Sequence, residues 1–218
     1  MTPSIGHLAF VAGLLLFPAA ALAQHPDAPV RIVLIVDSSG SVGPYFNEFR
    51  AGLNAFVDTL PEGYGDEIAL VTTGGQPQVR VAPTTDRAKL KAAIARFGPD
   101  SGINTFVESL IDCERRFLKG SPDRWPVFVI LTTDIVPTGD FDQYGFNQLV
   151  KHLVDRGGSA HAIVVRNLRT RLTAELTQHL VRSTRGIYES MTLTSSLPAK
   201  MEDIADRIYS DHHPRRPF

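Results

Sequence analysis

Two kinds of apolar pattern alternate along the chain. VRIVLIV at 30–36, DEIALVTT at 66–73, WPVFVILT at 125–132 and SAHAIVV at 159–165 are apolar runs of strand length, rich in β-branched residues. Between them, apolar residues recur at three- and four-residue steps. Phe46, Phe49, Leu53, Phe56, Val57 and Leu60 predict a helix over Pro44 to Leu60, and proline suits its first turn. Thr85 is placed to cap a helix running through Leu90, Ile94 and Phe97. Gly98 to Asn104 reads as a loop, and so does the segment holding Pro137 and Gly139. Further helices are expected over about Thr105 to Leu118, Gln143 to Asp155, Thr170 to Ser183 and Ser195 to Tyr209, with Gly157 and Gly158 ending the second. GGQPQ at 74–78 predicts a turn into a short edge strand at Val79 to Val81, and Gly186 to Ser190 a last short strand.

The central strands are continuous apolar runs and not alternations, which marks a sheet covered on both faces. Strands separated by helices then give an α/β fold: doubly wound, mostly parallel, with one short antiparallel edge strand and helices on both faces. In such sheets ligands sit beyond the carboxyl ends of the strands, at the point where the strand order reverses.

The first 23 residues change the picture of where the protein works. LAFVAGLLLF is an apolar run of ten, too short to span a bilayer as a helix. Ala21 and Ala23 give the small-x-small pattern of signal peptidase, with Gln24 as the new N-terminus. This predicts a signal peptide over 1–23, one domain over 28–210, a disordered tail over 211–218, and a periplasmic or secreted protein. The segment before the apolar run has no Lys or Arg, only the α-amino group and His7, so an uncleaved single anchor is the alternative. No later apolar run is long enough to cross a membrane, and no cysteine follows the signal to carry a lipid. The formal charge of −1 gives no electrostatic case for nucleic acid or an anionic membrane. Cys113 is the single cysteine, cannot form an internal disulfide, and reads as a small core residue on a helix.

The candidate chemistry lies where strand becomes loop. VLIVDSSGSV ends a core strand in hard oxygen donors, with Asp37, Ser39 and Ser41 in a D-x-S-x-S pattern that lets alternate side chains converge. One carboxylate and two hydroxyls suit Mg²⁺, Mn²⁺ or Ca²⁺ better than zinc, since no thiolate or imidazole is near in sequence. Asp134, after WPVFVILT, ends a neighbouring strand and can face Asp37 across the crevice. The bland alternative is that Ser41 simply caps the helix opening at Pro44.

These residues resemble the von Willebrand factor type A domain. The resemblance carries a D-x-S-x-S after an apolar strand, a polar loop before a helix, and an aspartate after a later apolar strand. It implies a Rossmann-like sheet with a metal-ion-dependent adhesion site (MIDAS), at which two serines and a threonine bind the ion and two aspartates act directly or through water. A partner's Asp or Glu carboxylate completes the shell, so the resemblance implies a protein-binding module for adhesion or assembly, not an enzyme. Asp37, Ser39, Ser41 and Asp134 fit the pattern, but Ile135 stands where the family has glycine. In SGINTFVESL, Ser109 and Leu110 fit the positions five and six after the threonine, which puts Asn104 in its place. An Asn carbonyl can ligate a hard cation; a slip of one residue gives the role to Thr105 instead.

Two other readings stay open. The Asn104 and Ile135 departures suit a scaffold whose site has lost its ion. A serine hydrolase using DSSGS would need a base from His152, His161 or His179, and the chain has no G-x-S-x-G elbow. The three histidines fall on expected helices or a strand, where a surface or half-buried position is expected. His212-His213 in the tail reads as solvated, and Trp125 as packing. There is no G-x-G-x-x-G after the first strand and no P-loop.

Overall fold

The computed structural model describes residues 28–100, 102–134, 142–166 and 172–213. The signal segment, Ile135, the loop with Pro137 and Gly139, residues 170–171 and tail residues 214–218 lie outside the described residues.

Six strands form one sheet: β1 (Val30–Val36), β2 (Glu67–Thr72), β3 (Gln78–Thr84), β4 (Trp125–Thr133), β5 (Ser159–Val165) and β6 (Tyr188–Met191). The order is β3-β2-β1-β4-β5-β6. All neighbours are parallel except β3, which runs antiparallel to β2. The edge strand β3 is longer than its three expected residues and holds Pro83, which an edge tolerates.

Alternate residues of β1 feed two apolar layers. Val30, Ile32, Leu34 and Val36 pack with α1 (Phe46–Thr59), α2 (Arg87–Arg96) and α6 (Leu197–His212). Val33 and Ile35 pack with α3 (Phe106–Cys113), α4 (Gln143–Asp155) and α5 (Leu172–Ser183). Cys113 belongs to the second layer, and burial pushes its thiol up to about 12.

Several boundaries differ from expectation for local reasons. The chain from Gly40 to Tyr45 forms a 3-10 turn before α1. Asp86, not Thr85, caps α2, and its carboxylate accepts from the Lys89 N–H. The α3 helix continues through a π-helical turn, Glu114–Leu118. Gly157 ends α4 with φ +62°, a conformation only glycine adopts freely.

The expected tail is corrected at its first three residues. Helix α6 includes Asp211 and His212, and His213 follows it in place. His212 stacks on Trp125 with ring centroids 5.3 Å apart, and His213 Nε2 lies 2.9 Å from Asp66 Oδ2. Their rings find apolar and acidic partners at the base of the sheet, so neither is a solvated tail histidine.

Candidate metal centre

The order β2-β1-β4 places the switch point between β1 and β4. Asp37 leaves β1 there, tied by its N–H to Leu131 O at 2.9 Å. Its carboxylate is fully buried and accepts three hydrogen bonds. Oδ1 accepts from the Ser39 N–H at 2.8 Å; Oδ2 accepts from the Thr133 N–H at 3.2 Å and from the Thr133 hydroxyl.

The hydroxyls are chained. Ser41 Oγ lies 3.1 Å from Thr133 Oγ1, and Ser39 Oγ lies 2.7 Å from Ser41 Oγ. Because Thr133 gives its proton to Asp37, Ser41 donates to Thr133 and Ser39 donates to Ser41. The hydroxyl protons of this run then point along it toward Asp37. Ser41 makes no capping bond to the helix that follows, so the bland reading of this serine is not what the fold uses.

Asp134 follows Thr133 and is 1% exposed, with its N–H donating to Val165 O at 3.0 Å. Burial, and after it the charge of Asp134, hold the Tyr188 phenol above its ordinary value.

The second loop is held differently from the first. The Asn104 side chain is buried, accepts from the Thr73 hydroxyl at 2.8 Å and donates to Thr132 Oγ1 at 3.1 Å. The Thr105 hydroxyl faces the Gly75 and Thr73 carbonyls at 2.6 and 3.2 Å. Among the described residues neither side chain is hydrogen-bonded to Asp37, Ser39 or Ser41. The loop is pressed on its neighbour: a Cβ at Gly102 would stand 2.2 Å from Gly75 Cα.

Sequence reasoning missed four residues here. Thr133 lies past the apolar run that stops at Thr132, and the strand runs one residue further. Ser38 alternates away from its neighbours and bonds Asp100 Oδ2 at 2.7 Å; Arg80 holds Asp100 from β3 at 2.8 and 3.0 Å. That ion pair holds the loop that carries Asn104, and no motif in the sequence marks it.

The donor set fits a hard cation. Among the described residues no three His, Cys, Asp or Glu side chains converge on one point, so hydroxyls complete any shell. Adjacent ligands of an octahedral Mg²⁺ at about 2.1 Å stand about 3 Å apart, close to the 2.7 Å between the two serine oxygens.

The hydrolase reading needs a base at the serines. His161 is fully buried on β5, contrary to the expected surface or half-buried position, and burial lowers it to about 4. Its Nδ1 accepts from the Ile187 N–H, so it is the neutral Nε2–H tautomer and donates to Ser159. His152 sits 2.7 Å from Glu114, and the His179 ring faces Phe146. None of the three is hydrogen-bonded to Ser38, Ser39 or Ser41 among the described residues.

Residues 32–136 match the model of the von Willebrand factor type A domain. The fold is that of a von Willebrand factor A domain. A von Willebrand factor type A protein from Catenulispora acidiphila is 16% identical with a TM-score of 0.67, covering 82% of this chain and 42% of that one. This chain therefore spans less than half of that protein. The mussel byssus proximal thread matrix protein 1, in a structure with a zinc-occupied MIDAS motif, is 16% identical with a TM-score of 0.65, over 83% of this chain and 48% of that one. The vWF domain of the type V pilus tip protein Mfa5 from Porphyromonas gingivalis is 14% identical with a TM-score of 0.64, over 88% and 98%. No curated protein matches the chain. Among the described residues no helix is long and apolar enough to cross a membrane.

Proposed function

We propose that this chain is an exported protein-binding module that ligates a partner's carboxylate through a divalent ion. Asp37, Ser39, Ser41 and Asp134 would hold the ion, with Asn104 or Thr105 contributing from the second loop. The ion supplies a Lewis-acidic position that an Asp or Glu of the partner can fill. The observation that carries the reading is the run of hydroxyl contacts from Ser39 through Ser41 and Thr133 to the buried Asp37 carboxylate.

This chain's own residues do the preparing. Thr133 and the Ser39 N–H orient Asp37, and the Arg80–Asp100–Ser38 contacts hold the second loop against the first. Export rests on the signal-like residues 1–23, with cleavage after Ala23 and a periplasmic or secreted destination; an N-terminus at Gln24 in the mature protein tests it. Zinc joins Mg²⁺, Mn²⁺ and Ca²⁺ as an ion to be tried, because a protein of the same fold carries zinc at its MIDAS.

Calorimetric titration of the purified protein with Mn²⁺ tests the site. One equivalent is expected to bind, and the double variant Ser39→Ala, Ser41→Ala is expected to lose at least tenfold in affinity while staying folded. Undiminished binding in that variant contradicts the assignment.

A further inference from the structure

The opposite end of the sheet holds a buried guanidinium with two N–H groups that no acceptor meets. Arg87, the first residue of α2, is 8% exposed. Its Nε and Nη1 are buried without a hydrogen-bond partner, and burial lowers its pKa against the opposing pull of Asp66 and then Glu62. A guanidinium has five N–H donors and no acceptor, and a buried donor left unmade is costly.

Arg87 lines a cavity of about 320 Å³ with Glu62, Gly63, Gly65, Asp66 and Thr85. The cavity lies at the amino end of the parallel strands, where the α1–β2 connection meets the end of β3. Both ends of the described domain, β1 and α6, meet Asp66 beside it. The helix start adds to the attraction, since its first N–H groups have no intrahelical acceptor and its dipole favours negative charge.

The carboxylates nearby attract Arg87 without hydrogen-bonding its buried Nε and Nη1. Asp66 Oδ1 accepts from the Val30 N–H at 2.7 Å and Oδ2 meets His213. Asp86 accepts from the Lys89 N–H. Glu62 is exposed at the rim and makes no ion pair with Arg87.

We propose that this cavity is a binding site for a small oxyanion, of carboxylate or phosphate type, seated on the Arg87 guanidinium and the start of α2. Glu62 is then the group that the ligand displaces. The site is independent of the metal centre, which lies at the other end of β1.

The test is thermal unfolding of the purified protein in EDTA and chloride at fixed ionic strength, titrated with inorganic phosphate in one arm and acetate in the other. At hundredfold excess over its dissociation constant the preferred anion is expected to raise the midpoint on the order of 5 °C. The arm that saturates identifies the oxyanion type. Arg87→Gln is expected to lose the rise, and Glu62→Gln to bind at least threefold more tightly. An equal rise in Arg87→Gln overturns the proposal. So does the lack of a saturable rise with either anion in both wild type and Glu62→Gln. If Arg87→Gln does not fold, Glu62→Gln decides: tighter binding supports the site, and unchanged affinity overturns it.

Discussion

The two ends of the sheet solve the problem of buried charge in different ways. At the amino end Asp66 is 5% exposed, and its chain supplies His213 and the Val30 N–H. Glu67 beside it takes Arg31 and Arg124. At the carboxyl end Asp37 is 0% exposed, yet its donors among the described residues are two backbone N–H groups and one hydroxyl, all neutral. A carboxylate taken out of water is expensive without a cation. The amino end gives Asp66 an imidazole and Glu67 two guanidiniums, and under the proposed function the carboxyl end takes its cation from outside. The difference teaches where to look: buried acids that the chain pairs with its own basic groups are architecture, and one held only by neutral donors is where we propose a site.

The comparison breaks most severely at a glycine. Gly102→Ala forces a Cβ to within 2.2 Å of Gly75 Cα and separates the two loops above the crevice. A cost on the order of 3 kcal/mol is expected in denaturant unfolding, with loss of ion binding. Gly40→Ala, with nothing within 4 Å of the added Cβ, is expected to change stability by less than about 0.5 kcal/mol.

Acid attacks the amino end next. His161 is held neutral by burial at about 4, with Asp211 opposing the shift and Arg207 and His212 adding to it. His212 is lowered too, first by burial. The unfolded chain binds these protons at an ordinary histidine pKa of about 6.5 and the folded one does not. Stability is therefore full above about pH 6.5 and falls as pH drops toward 4. His161 alone accounts for on the order of 3 kcal/mol across that window. Denaturant midpoints measured from pH 7 to pH 4 check this, and His161→Gln is expected to flatten the slope.

A smaller effect sharpens the contrast directly. Asp66→Asn strips charge from a paired carboxylate and is expected to cost about 2 kcal/mol. Asp37→Asn relieves a buried charge but turns an amide N–H against the Ser39 or Thr133 donors, and without divalent ions it is expected to cost about 1 kcal/mol. Adding a divalent ion should close or reverse that gap, as read by urea unfolding with and without EDTA.

Much of this was legible beforehand. Continuous apolar runs foretold a parallel sheet covered on both faces, and Asp37 and Asp134 fell at the ends of adjacent strands as expected. Ser39 and Ser41 converge because alternate residues of a turn share a side. The second loop was less legible, because its placement depends on Arg80 and Asp100, 20 residues apart, and on close glycine packing that no periodicity reports. The tail misled for a related reason. Two histidines before PRRP carry no apolar pattern, but Trp125 and Asp66, distant in sequence, give them partners.

The most direct test of the central claim is thermal unfolding of the purified protein in EDTA and then in Mg²⁺, Mn²⁺, Ca²⁺ or Zn²⁺, run beside Asp37→Asn. An ion in hundredfold excess over its dissociation constant adds about 2.7 kcal/mol, a rise of several degrees for a domain of this size. The account predicts that rise in the wild type and its loss in the variant. No rise with any of the four ions, or an equal rise in Asp37→Asn, would contradict it.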